Sequence, residues 1–262
     1  MSTQSLLEAG GRATRQRTFG LDCEMVGVGP KAEISMLARV TLVEYSRALD
    51  ELDETDSPLR RLLRGSFVPG DFTVVYDRIV IPTVKVKDFR TKYSGITREI
   101  LNCGLPGAPL VSFSVCRREV AQLLAGSVVV GHALSNDFNA LKMKHPNTLK
   151  RDTAFYGPFM NAQVTKSGQR MRPKKLRYVF HDEFGYSIQG AASGHSSAED
   201  ASASLALYIK HRKAWEGQIV ESGGGEEGGR LGGGHGANCS FTLVLDGEWR
   251  KKERKEENGQ SS

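Results

Sequence analysis

Two carboxylates, Asp22 and Glu24, stand one residue apart inside the otherwise apolar run Thr18 to Val26. Such a run reads as a β-strand, where alternate side chains share a face, so the two acids project together roughly 6–7 Å apart. Phe19, Leu21 and Cys23 turn to the opposite side, toward a core. Anions held side by side in a buried strand repel each other unless a cation lies between them. Two later segments supply more acids. Gly131 to Phe138 puts Asp137 in the first turn of a helix that follows a short apolar strand, and Gly194 to Asp200 puts His195 ahead of a helix with Asp200 in its opening turn. Four carboxylates and one imidazole are what two-metal hydrolysis of a phosphodiester requires. In that chemistry Asp22, Glu24, Asp137 and Asp200 hold two Mg²⁺ or Mn²⁺ ions about 3.5–4 Å apart. His195, whose ordinary pKa of about 6.5 suits a base at neutral pH, accepts the proton of the attacking water.

Taken singly, each residue has an ordinary role open to it. An acid pair on a strand edge is commonly solvated, Asp137 suits a helix dipole, and Ser196 or Ser197 with Glu199 or Asp200 resembles a capping box. His132 fits a packing or hydrogen-bonding role, and Asp152 fits the cap of a following helix better than a fifth ligand. It is the combination, in this order and on these elements, that points to the site.

The elements that must position these groups follow from periodicity. Strand patterns cover 18–26, Met36 to Tyr45 and Thr73 to Ile81, the last ending at Pro82. Beyond Pro82 helices and strands alternate. Phe113 to Ala125 carries one apolar stripe, Val128 to Val130 is a short buried strand, and Ser135 is placed to cap a helix bearing Phe138 and Leu141. Leu176, Val179 and Phe180 mark a helix closed by Gly185, and Ala201, Leu205 and Tyr208 form the inner stripe of the last one. A meander followed by helix–strand units implies an α/β fold, a mixed sheet flanked by helices.

The chain of 262 residues has room for one sizeable core, and its 39% hydrophobic and 25% charged residues are those of a globular domain. No apolar stretch is long enough to span a bilayer, and no secretory leader pattern opens the sequence. Four cysteines without a CxxC pair fit a reduced compartment rather than a zinc or disulfide framework. A net charge of +6 around an acidic site favours an anionic partner, nucleic acid before membrane. Residues 1–17 read as a flexible basic arm, 18–216 as the catalytic domain with a surface insertion at 46–71, and 217–262 as a glycine-rich linker and charged, largely disordered tail.

Three stretches resemble the three motifs of the DEDDh (DnaQ-like) 3′–5′ exonucleases: Leu21-Asp-Cys-Glu-Met-Val-Gly27, Val130-Gly-His-Ala-Leu-Ser-Asn-Asp137 and Gly194-His-Ser-Ser-Ala-Glu-Asp-Ala201. Asp88 to Thr97, His145-Pro146 and Arg151 to Thr153 support a likeness to the RNA exonuclease four and interferon-stimulated exonuclease branch, over about residues 17–216. The resemblance implies a ribonuclease-H-like fold with an antiparallel meander followed by parallel strands. It also implies a 3′–5′ exonuclease acting on single-stranded RNA, with DNA as the alternative, and releasing nucleoside 5′-monophosphates. Asp22, Glu24, Asp137 and Asp200 match the metal ligands and His195 the general base, five residues before the last aspartate. Met25 reads equally as a contact to the terminal nucleotide or as a core methionine, Arg90 as a contact to the backbone near the 3′ end or as a solvated loop arginine, and the basic stretch Lys166, Arg170, Arg172, Lys174 and Lys175 is expected as a flexible loop tracking the strand. Ribosomal RNA processing in the nucleus or nucleolus is the expectation at family level. A non-catalytic RNA-binding module on the same fold, and a small-molecule phosphodiesterase, stand as rivals.

Overall fold

The computed structural model describes residues 16–46, 57–165, 168–190 and 195–221. Expectations for most of the N-terminal arm, for residues 47–56 and for the segment from 222 onward concern residues outside these. A central sheet runs in the order β5-β3-β2-β1-β6-β7, with β4 pairing off the end of β1. Its strands are β1 (Thr18–Val28), β2 (Ile34–Tyr45), β3 (Phe72–Ile81), β4 (Val86–Asp88), β5 (Leu110–Ser112), β6 (Val128–Gly131) and β7 (Lys150–Asp152). β1, β2 and β3 form the antiparallel meander, whereas β5, β6 and β7 join in parallel through helical connections. This is the mixed, helix-flanked α/β sheet expected from the sequence.

The two faces of β1 set the layers. Phe19, Leu21 and Cys23 enter a core shared with Cys116, Val120 and Leu124 of α4 (Phe113–Leu124) and with Phe138 of α5 (Leu134–Ala140). The opposite face meets α7 (Ser197–Glu221), which crosses the sheet and packs on α6 (Leu176–Phe184). Residues 200–209 of α7 are buried all round rather than along the single stripe expected, because the helix lies between the sheet and α6. Alanine and serine at 201–204 and 206 make that enclosure possible. The helix also continues through Gly217 to Glu221, into the segment read as a glycine-rich linker. No helix among the described residues is long and apolar enough to cross a membrane.

Three further local expectations differ from what is found. Ser135 does not cap α5. The Asp152 carboxylate does, accepting the backbone N–H groups of Ala133 at 2.8 Å and Leu134 at 2.9 Å, as well as that of Ala154 at 3.0 Å. Asp152 thus caps the helix before it, from across the sheet, instead of the one after it. Within 46–71, α1 (Ser57–Leu63) and Phe67 are not a mere surface insertion. Leu62 is buried, and half-buried Phe67 lies edge-on to Phe180 at 4.9 Å, packed against the core beneath α6. Of the basic stretch after Phe159, Arg170 and Arg172 lie on a hairpin, β8 (Met160–Thr165) with β9 (Gly168–Pro173), in place of a loop, while Lys166 lies outside the described residues.

Close approach of α7 to β1 depends on Gly20. A Cβ there would stand 2.5 Å from the Ala201 carbonyl oxygen and 2.7 Å from Val43 Cγ2. Backbone cannot yield as a side-chain tip does, so Gly20→Ala must push the start of α7 off the sheet. Overpacking of this kind costs about 1–3 kcal/mol. Denaturant unfolding should show a loss of that size for Gly20→Ala; unchanged stability would mean that the helix is not fixed here.

Candidate active site

β1 runs parallel to β6 with Gly20 opposite Val130, so Asp22 and Glu24 extend beyond the end of β6 at Gly131. α5 starts from that same end and brings Asp137 back to β1. The backbone N–H of Cys23, between the two acids of the first segment, donates to Asp137 Oδ1 at 3.0 Å. Asp200 arrives from the other side, in the first turn of α7, where the helix dipole favours a negative charge. Glu24, Asp137 and Asp200 are buried, and Asp22 is half-buried.

The electrostatics show how close the acids are. Burial pushes the Asp22 carboxyl well above the usual carboxylate range, and the charges of Asp137, Glu24 and Asp200 push it further. Glu24 is pushed up to about 9 by burial and by Asp200, against a partial offset from Arg39. Burial lifts Asp137 to about 7, even though Cys23 lowers it by hydrogen bonding.

His195 lies at the mouth of this cluster. Its Nδ1 is 3.4 Å from Asp200 Oδ2, and its backbone N–H donates to the Tyr93 carbonyl at 3.3 Å. The same Asp200 oxygen accepts Gln189 Nε2 at 2.8 Å. Asp200 Oδ1 and Glu24 Oε1 are buried with no hydrogen-bond partner. Burying a carboxylate oxygen unpartnered is costly. No three ligand-type side chains among the described residues are already drawn to the spacing that a metal needs. Two orphaned carboxylate oxygens amid four mutually repelling acids nevertheless fit hard divalent cations, which take oxygen ligands.

A cavity of about 510 Å³ opens from Glu24 and is lined by Met25, Ser35, Arg90, Tyr93 and Asn136, among others. Met25 reaches it at a β-bulge, where the register slips from Glu24 opposite Arg39 to Met25 opposite Leu37. It also packs on the core behind β1. Arg90 lines the cavity from a left-handed backbone position (φ 53°) and is tied to the β1–β2 turn. Its Nη1 donates to Ser35 Oγ at 2.8 Å and its Nη2 to the Ala32 carbonyl at 2.9 Å. The structure therefore brings all seven candidate residues to one place: the four acids and His195 in a cluster, Met25 and Arg90 on its adjoining wall.

Several supporting residues were not foreseen. Opposite Glu24 and Asp22 on β2 stand Arg39 and Thr41, and opposite Thr41 on β3 stands Asp77. Arg39 grips Asp77 with two bonds, 2.9 and 2.6 Å. Thr41 Oγ1 donates to Asp77 Oδ1 at 3.2 Å and lies 2.6 Å from Ser197 Oγ. This chain of contacts fastens the start of α7 to the sheet and holds one cation beside Glu24. Polar residues two apart within apolar strands, Arg39/Thr41 after Asp22/Glu24, were the signal available. Tyr93, 62% exposed, stands edge-on to His195 with ring centroids 6.2 Å apart. Gln189 (φ 60°) had no local signal, because its partner is eleven residues away on another element. His132, expected to be structural, lies 3.0 Å from Thr153 Oγ1 through Nδ1.

Against known proteins, no protein-family model matches the sequence. Individual relatives do. The chain is 40% identical over 201 residues to human RNA exonuclease 4, covering 76% of this chain and 38% of that protein. It is 36% identical over 203 residues to rat apoptosis-enhancing nuclease, covering 77% and 51%. It is 33% identical over 206 residues to bovine interferon-stimulated 20 kDa exonuclease-like 2, covering 79% and 49%. Over about three quarters of its length this chain is homologous to DEDDh-type exonucleases. The pseudoubiquitin hydrolase–RNA exonuclease module of Pan2 from Saccharomyces cerevisiae, solved with AAGGA RNA, superposes with a TM-score of 0.57 and 28% identity over 79% of this chain and 31% of that one. The chain spans about half the length, or less, of the curated relatives it matches. Likeness to these exonucleases suggests dependence on a divalent metal.

The raised carboxyl groups have a consequence for stability. An acid whose pKa rises on folding, such as Glu24 from 4.5 to about 9 or Asp137 from 3.8 to about 7, makes the fold bind protons that the unfolded chain releases. Its contribution is fully present below the unfolded values and is lost as pH climbs through about 7 and then about 9. In EDTA, the melting temperature of the wild type relative to Glu24→Gln should therefore fall between about pH 5 and pH 9. Added Mn²⁺ should raise the wild-type melting temperature more at pH 8 than at pH 5. Parallel pH curves for wild type and variant would contradict the assigned repulsion.

Proposed function

We propose that this chain is a 3′–5′ exonuclease that removes nucleoside 5′-monophosphates from single-stranded nucleic acid, RNA before DNA, using two Mg²⁺ or Mn²⁺ ions. The observation that carries this is the convergence of four acids from three distant segments, two with unpartnered buried oxygens, beside His195 and a nucleotide-sized cavity. Asp22, Glu24, Asp137 and Asp200 would hold the ions. When bound, these cations offset the acids' charge, acidify the attacking water and stabilise the departing 3′-oxygen.

The protein's own groups do the rest. Asp200 Oδ2, steadied by Gln189, faces His195 Nδ1 and fixes the tautomer that leaves Nε2 free to accept a proton. The attacking water gives that proton to Nε2 as its oxygen bonds to phosphorus, the P–O3′ bond breaks, and the new 3′-hydroxyl takes its proton from solvent. Met25 packs against the terminal sugar. Arg90, held in place by Ser35 and Ala32, directs its remaining donors at the phosphate. Tyr93 stacks on the terminal base. One end of the chain thus fills the cavity, which favours removal from an end over internal cutting. RNA is the preferred substrate because the relatives include proteins named RNA exonuclease 4 and the neighbouring Pan2 module was solved with RNA. Precursor ribosomal RNA and a nuclear or nucleolar location extend the same proposal, supported by the net charge of +6.

End-labelled RNA incubated with Mn²⁺ should shorten stepwise from its 3′ end, and EDTA should stop it. His195→Ala should slow turnover about 10²–10⁴-fold while RNA binding persists. Internal cutting, or binding without turnover, would refute the exonuclease and favour a plain RNA-binding module. Tyr93→Ala should raise KM with little change in kcat, at a cost of about 1–3 kcal/mol, the range for one base–aromatic stack. An unchanged KM would remove Tyr93 from the substrate path.

A further inference from the structure

From Thr153 through His181 the chain carries six lysines and arginines and no acidic residue. Much of this stretch is the β8–β9 hairpin, whose strands pair with each other apart from the main sheet. A two-stranded ribbon alone is marginally stable in water, so the distribution of its side chains is informative. Asn161 pairs with Arg172 and Gln163 with Arg170, and residues two apart on a strand share a face. One face therefore carries two amides and two guanidinium groups. The other carries Met160, Ala162, Val164 and Met171. Neither Arg170 nor Arg172 makes an ion pair or side-chain hydrogen bond with a described residue, and both are exposed. The two guanidinium groups on one face of β9 repel each other, and an anion from outside that bridges them relieves that repulsion.

The foot of the hairpin lies beside the acidic cluster. Burial lowers the pKa of the His132 ring, and the charge of Asp152, the nearby backbone of Lys174 one residue past β9, and the charge of Asp200 all oppose that shift. An anionic partner that runs from this face toward the cluster must be an extended chain whose charge is tolerated there. An acidic peptide would meet four uncompensated carboxylates, whereas a phosphodiester strand ends where the cations sit.

We propose that the Asn161–Gln163–Arg170–Arg172 face of the hairpin is a guide for single-stranded nucleic acid, gripping two phosphates upstream of the 3′ end in the cavity. The amides hydrogen-bond sugar or base edges without selecting sequence, and the arginines bind phosphate through paired donors. The guide presupposes exonuclease activity at the acidic cluster only for its direction; its binding to the strand stands apart from turnover.

The test measures binding of fluorescent RNA of about ten nucleotides in EDTA, together with turnover of that strand and of a trinucleotide in Mn²⁺. Arg170→Gln/Arg172→Gln should weaken binding about tenfold near 0.1 M salt and reduce the slope of log affinity against log salt by about 1.4, the value for two single-strand phosphates. KM for the long strand should rise alike, with trinucleotide turnover unchanged. Arg170→Lys/Arg172→Lys should keep the wild-type salt slope, which a merely misfolded hairpin would not do. Val164→Ser/Met171→Ser, on the opposite face, should bind like the wild type. Unchanged affinity and slope in the glutamine pair would overturn the guide, as would equal weakening in the serine pair. If the wild type shortens no strand yet the arginine dependence of binding holds, the exonuclease assignment fails and the guide survives.

Discussion

The mutual repulsion of Asp22, Glu24, Asp137 and Asp200 is the constraint around which the rest of this molecule is arranged. Left to themselves, buried carboxylates separate or take up protons, and the raised pKa values of Glu24 and Asp137 show the second tendency. The fold opposes the first with backbone and with one side-chain amide. Asp22 and Glu24 are fixed in the central strand, the Cys23 N–H holds Asp137, and Gln189 holds Asp200. The repulsion so stored is what the divalent cations of the proposed reaction would relieve.

Each supporting contact makes sense in those terms. Gly20 lets α7 approach until its backbone meets β1. Thr41 and Ser197 fasten the first turn of that helix, and Asp77 keeps Arg39 turned where it tempers Glu24 without occupying the site. Asp152 plays the same part for α5: by capping Ala133 and Leu134 it sets the turn from which Asp137 projects. A cluster of charges thus rests on a second layer of neutral and paired groups, each bonded to backbone or to one another. The cavity wall follows from the same strand, since Met25, at the bulge after Glu24, lines the cavity.

The sequence made the acids and the histidine legible because their chemistry is local: two carboxylates on alternate positions, one at each of two helix starts. It also showed the long strands β1 to β3 and the stripe of α4, whose lengths give periodicity something to act on. It hid β4, β5 and β7, each three residues long, too short to display any period. It hid the hairpin, where the alternation of Asn161, Ala162, Gln163 and Val164 was outweighed by the surrounding basic charge. It misplaced the caps of α5, because Ser135 satisfied a local rule while the real partner, Asp152, lies on another strand. Gln189 was invisible for the same reason. What tertiary structure adds here is mostly the second layer, the groups that hold the reacting ones in place.

The most direct test of the central claim is anomalous diffraction from crystals of the protein grown with Mn²⁺. Two peaks about 3.5–4 Å apart, coordinated by Asp22, Glu24, Asp137 and Asp200, are predicted. Absence of manganese at saturating concentration, or peaks held by other side chains, would contradict the account.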